Sequence, residues 1–132
     1  MAEIKVNVSQ DTESASKAEA RSHTTFVDRP VAKGGADKGP MGGELFLMGL
    51  GGCFMSNLLA AVKARDIKAS NLNVDLIGTL EESPSRFVAV DMKISGDYDD
   101  KAEMEKLAVI AERGCIVANT LRNAVNLTIS VS

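Results

Sequence analysis

Between Leu45 and Val62 the chain runs for 18 residues without a charge. Such a run must either cross a membrane or be wrapped in protein. It contains Gly49, Gly51, Gly52, Ser56 and Asn57, and it falls short of the ~20 apolar residues of a usual transmembrane helix. A buried core helix, roughly Glu44 to Arg65, is the better reading, with no membrane partner. Apolar residues cover this helix on nearly every side, so it has to be surrounded. A chain of 132 residues is one domain of ordinary size, expected to span 1–132. It has little else with which to enclose the helix alone. An extensive subunit interface follows, most simply that of a two-fold homodimer.

The rest of the chain supplies strands and one further amphipathic helix. Ile4, Val6 and Val8 alternate with polar residues, as in a half-buried strand. Gln10 to Ser16 reads as a turn, and Lys17 to Asp28 as the strand that returns. Pro30 to Gly43, rich in glycine, is a loop leading into the central helix. Leu72, Val74, Leu76 and Leu80 alternate on one side of the turn Glu82-Ser83-Pro84-Ser85, and Val88, Val90, Met92 and Ile94 on the other, which predicts an antiparallel hairpin. Asp99 or Asp100 can cap the helix that follows. Met104, Leu107, Ala108 and Ala111 form its buried stripe, and Cys115 continues that stripe provided Gly114 does not end it. Ile116 to Asn123 suits a short helix, and Val125, Leu127, Ile129 and Val131 a closing strand. The predicted fold class is α+β, in the order β-β-α-β-β-α-β, with an antiparallel sheet packed on two helices.

The formal net charge is −3, Lys and Arg are scattered, and aromatics make up 4%. Nucleic-acid binding needs clustered positive charge and stacking platforms, so it is not expected. The loop Gly34 to Gly43 lacks the Gly-Lys-Ser/Thr ending of a phosphate-binding loop. Two cysteines and one histidine, far apart in sequence, do not make a zinc site, and no cofactor is expected. Met1 to Val8 is too polar for a secretory signal, so the expected location is the cytoplasm, where thiols stay mostly reduced. Cys53 and Cys115 are then either packed core thiols or reactive ones.

The segment GGADKGPMGGELFLMGLGGCF, followed some sixty residues later by AERGCIVANTLRNAVNLTISVS, resembles the OsmC/Ohr family, the osmotically inducible and organic hydroperoxide resistance proteins. The resemblance runs from about Val27 to the C-terminus. It implies an intertwined homodimer with two sites at the interface, and thiol-dependent reduction of organic hydroperoxides in oxidative stress defence. Cys53 matches the peroxidatic cysteine and Cys115 the resolving one, with an external thiol or dithiol as reductant. A second thiol near the first stops oxidation from running on to irreversible states.

Two positions depart from that pattern. Peroxide-reducing members carry a glutamate ten residues before the first cysteine. Here that position is Gly43, and Glu44 stands one residue nearer, as in many OsmC-like relatives. In a continuous helix Glu44 lies about half a turn around from Cys53. Glu44 also suits a first-turn acid that complements the helix dipole. The activating arginine that those members hold in the first hairpin has no counterpart between Gln10 and Ser16. Arg21 and Arg29 are the available substitutes, Arg21 also suiting an exposed strand residue paired with Glu19. The alternative to an enzyme is a catalytically degenerate dimer that binds an apolar ligand or serves as a redox sensor.

Overall fold

A computed structural model describes residues 1–132. The chain adopts the expected α+β architecture of antiparallel strands and helices. It divides into two compact units, Met1–Phe46 and Leu47–Ser132.

In the first unit, β1 (Asn7–Gln10), β2 (Ser16–Ala20) and β3 (His23–Val27) form an antiparallel sheet in the order β1-β2-β3. The single strand expected over Lys17 to Asp28 is broken: Arg21 has φ 56° and Ala20 pairs with His23, so the chain reverses over Arg21-Ser22. Alternation persists through a two-residue reversal, which is why the pattern concealed it. Glu19 pairs with Lys17 at 3.4 Å rather than with Arg21.

Asp28, only 3% exposed, ends β3 and organises the loop after it. Its carboxylate accepts N–H groups of Arg29 at 2.7 Å, Ala36 at 3.1 Å and Lys38 at 3.1 Å. Desolvation would raise its pKa. The backbone donors of Lys38, Arg29 and Ala36, together with the Ser14 side chain, outweigh it and hold the carboxyl below the usual range. The Lys38 ammonium sits 4.3 Å from the centroid of Phe26 and pairs with Asp11, tying the loop to the β1–β2 turn.

Helix α1 spans Gly42–Ala64. By length and composition it is apolar enough to cross a membrane. Within the chain 22% of its apolar window is buried, so it is not enclosed as the sequence leads one to expect. Its stripe of Leu50, Phe54, Leu58 and Ala61 forms one cluster with Met104, Leu107 and Ala111 of α2 (Lys101–Arg113), with Cys115, and with Ala118 of α3 (Ile116–Leu121).

The other layer of the second unit is the hairpin of β4 (Ala69–Glu81) and β5 (Arg86–Tyr98). Val74 pairs with Ile94 and Leu76 with Met92, so the predicted apolar faces meet across the ladder and pack on the helical cluster. Leu80 and Val88, past an irregularity at Thr79/Leu80, are exposed instead. Gly51 of α1 lies against β4, since a Cβ there would be 2.7 Å from Cδ1 of Leu76. A larger residue there would require the Leu76 side chain to move.

The closing strand expected at Val125–Val131 is not formed within the chain. Val125, Leu127, Ile129 and Val131 are 67% to 97% exposed. A strand exists only where a neighbour accepts its ladder, and nothing within the chain pairs with this segment.

Candidate functional site

Cys53 lies in the middle of α1, half-buried and packed against the core cluster. Cys115 arrives from the far end of α2, and the manner of its arrival decides the chemistry. Asp100 caps α2, accepting the N–H groups of Ala102 at 3.0 Å and Glu103 at 3.3 Å. Gly114 ends α2 with φ −91°. Cys115 does not extend the helical stripe. It turns to extended backbone, with φ −82° and ψ 110°, and becomes the N-cap of α3. Its sulfur is fully buried and accepts the Ala118 N–H at 3.4 Å.

The first turn of any helix carries N–H groups without intrahelical partners. In α3 the Ala118 N–H donates to Cys115, and those of Ile116 and Val117 lie close enough to Cys53 to lower its pKa. The Val117 N–H is the largest influence on Cys53 and favours its thiolate. Burial opposes it, and the Cys115 thiol and the Ile116 N–H add to it. The result is a Cys53 pKa below that of an ordinary thiol.

Cys115 moves the other way. Burial raises its pKa most, and the neighbouring Cys53 raises it further through hydrogen bonding and charge, against the Ala118 and Val117 N–H groups. The two thiols are thus shifted apart, Cys53 below and Cys115 above an ordinary thiol. No cation is among the groups that lower Cys53. The groups that lower Cys53 are backbone amides of α3 and the Cys115 thiol.

The remaining candidates lie in the first unit. Glu44 is engaged at the start of α1, its carboxylate accepting the Met41 N–H at 2.8 Å, half of a capping box. Arg21 occupies the β2–β3 turn and is exposed. Arg29 is exposed too, and its backbone is fixed by donating to Asp28 and accepting from Asp37 at 3.0 Å. The α3 amides were the residues sequence reasoning missed. Their signal was Gly114-Cys115, a helix terminator followed by a residue able to cap the next helix.

The family model described as OsmC-like protein matches residues 35–130. No curated protein matches the chain. Among solved structures, a hypothetical protein from Aquifex aeolicus VF5 is similar at TM-score 0.79 and 16% identity, covering 92% of this chain and 89% of that one. An OsmC like protein from Mycoplasma pneumoniae is similar at TM-score 0.78 and 17% identity, covering 92% and 88%. An organic hydroperoxide resistance protein from Elizabethkingia anophelis is similar at TM-score 0.69 and 19% identity, covering 92% and 89%. At these identities the likeness speaks to the fold, which is OsmC-like.

Proposed function

Because this chain belongs to the OsmC-like protein family, we propose that it is a cysteine-dependent reductase of organic hydroperoxides, with Cys53 as nucleophile and Cys115 as resolving thiol. The observation that supports this reading is that Cys53, half-buried on α1, packs against the buried cluster that contains Cys115, with both thiols free; the Val117 N–H pulls Cys53 down, and burial pushes Cys115 up.

The Cys53 thiolate attacks the terminal oxygen of R–O–O–H. The S–O bond forms as the O–O bond breaks, and the pair of electrons leaves on the alkoxide, which takes up a proton. Sulfur is oxidised by two electrons and the peroxide reduced by two. The Cys115 sulfur, giving up its proton, then attacks the sulfenic sulfur of Cys53. A disulfide forms and the hydroxyl departs as water. An external thiol or dithiol restores both cysteines by exchange. The reading assigns Glu44 to the helix cap and no step to Arg21 or Arg29. Apolar neighbours at the site, Leu50, Phe54 and Val117 among them, favour alkyl over hydrogen peroxide.

The same reading takes the chain as one domain, acting as a homodimer in the cytoplasm. Phe46, Met48 and Leu59 stay exposed on α1, and the C-terminal segment offers an alternating apolar edge without a partner. A second copy covers both in this account. The direct test is consumption of cumene hydroperoxide in the presence of a dithiol. The wild-type chain is expected to turn over and Cys53→Ser to do nothing. A wild-type chain no faster than Cys53→Ser contradicts the proposal.

A further inference from the structure

Asn57 stands four residues after Cys53 on α1, so the two side chains share a face with Cβ atoms about 5–6 Å apart. Helical side chains lean toward the N-terminus, which carries the Asn57 carboxamide back toward the Cys53 turn. On its other side it lies against the joint between α2 and α3. The carbon, oxygen and nitrogen of the amide are 3.6, 3.6 and 3.7 Å from the point a Cβ on Gly114 would occupy. Near-equal distances mean the flat face of the amide is turned toward Gly114 across a gap that a methyl group would fill, leaving its polar edge free. That edge has no hydrogen-bond partner in the chain, and Asn57 is half-buried without being a buried unsatisfied group.

A polar amide beside a nucleophilic sulfur, with its donors unspent and no cation among the groups that ionise that sulfur, has an evident use. Cleavage of the O–O bond leaves negative charge on the departing oxygen, in surroundings lined by apolar side chains. We propose that the Asn57 side-chain N–H donates a hydrogen bond to the departing alkoxide oxygen, stabilising the charge that develops as the O–O bond breaks. Asn57 is then a catalytic residue of the hydroperoxide reduction, and the inference rests on the reading of Cys53 as the nucleophile. Its contribution is made only in the transition state, so it speeds peroxide reduction without changing how readily Cys53 ionises.

The test compares the full-length reduced wild-type chain with Asn57→Leu, which keeps side-chain volume against Gly114 and has no donor, and with Asn57→Ala. Each is reacted with cumene hydroperoxide and, separately, with iodoacetamide over a range of pH. Both variants are expected to lose about tenfold or more in the peroxide rate, with the iodoacetamide rate and its pH midpoint unchanged. A variant that reacts with peroxide at the wild-type rate overturns the inference. So does a parallel fall in the iodoacetamide rate, which would make Asn57 a support for the sulfur rather than for the leaving oxygen. A wild-type chain inert to peroxide overturns the underlying reading of Cys53 and this inference with it, and it does so before any variant is compared.

Discussion

Cys53 and Cys115 are shifted in opposite directions, Cys53 toward the thiolate, first by the Val117 N–H, and Cys115 toward the thiol, first by burial, and each thiol adds to the shift of the other. One residue sits mid-helix and the other between two helices, so the pair exists only once α1 and the α2–α3 joint have packed together.

The displacement predicts two separable titrations. Alkylation of Cys53 is expected to rise with pH through a midpoint below the ordinary thiol value, and that of Cys115 above it. Cys115→Ala removes one of the groups that lower Cys53 and should move its midpoint upward, while Cys115→Ser keeps a donor and moves it less. The stability linkage follows the same signs. The contribution of Cys53 is present above the unfolded thiol pKa and lost as pH falls through the lower folded value. That of Cys115 is present below the unfolded pKa and lost as pH rises through the higher folded value. Peptide-resolved alkylation and denaturant unfolding across pH check both.

Leu107 is 1% exposed and belongs to the cluster joining α1, α2 and Cys115. Leu107→Ala should cost about 2–5 kcal/mol of unfolding free energy, through lost burial and the cavity left behind. Urea unfolding is expected to show a lower midpoint with little change in slope.

Asp28→Ala removes the acceptor shared by the Arg29, Ala36 and Lys38 N–H groups. Hydrogen exchange should quicken at Ala36 and Lys38 while the β4–β5 amides are unaffected. The depressed pKa of Asp28 makes its contribution present above the unfolded carboxyl value and lost as pH falls through the folded one. The same loop amides in the wild-type chain should therefore loosen only in acid.

Sedimentation of the intact protein is expected to give twice the 14.0 kDa chain mass. Leu127→Asp places a charge in the alternating apolar edge of the C-terminal segment and should shift the balance toward single chains.

What the sequence revealed, and what it withheld, divides along a physical line. The β4–β5 hairpin, α1 and the Asp100 cap of α2 were legible because each depends on contacts near in sequence or on strict periodicity. The reversal at Arg21-Ser22 was concealed because alternating residues on either side of a tight turn look like one strand. The segment Val125–Val131 has strand character but no neighbour in the chain, and pairing is not a local property. The two cysteines were found by motif, whereas the groups that shift them were not. Ionisation of Cys53 depends on where Ile116 and Val117 point, and backbone amides carry no signature in the side-chain alphabet. Asp28 was passed over for a related reason, since its partners are three main-chain N–H groups of a glycine-rich loop.

The claim on which all of this depends is that folding sets Cys53 and Cys115 together as nucleophile and resolver. The most direct measurement is mass spectrometry of the reduced protein after a single equivalent of cumene hydroperoxide, with the products mapped by proteolysis. The account predicts a Cys53–Cys115 disulfide within one chain, and with Cys115→Ser and excess peroxide a sulfinic or sulfonic acid at Cys53 instead. Both thiols recovered free and unmodified, or oxidation falling on methionines while Cys53 is spared, would contradict it.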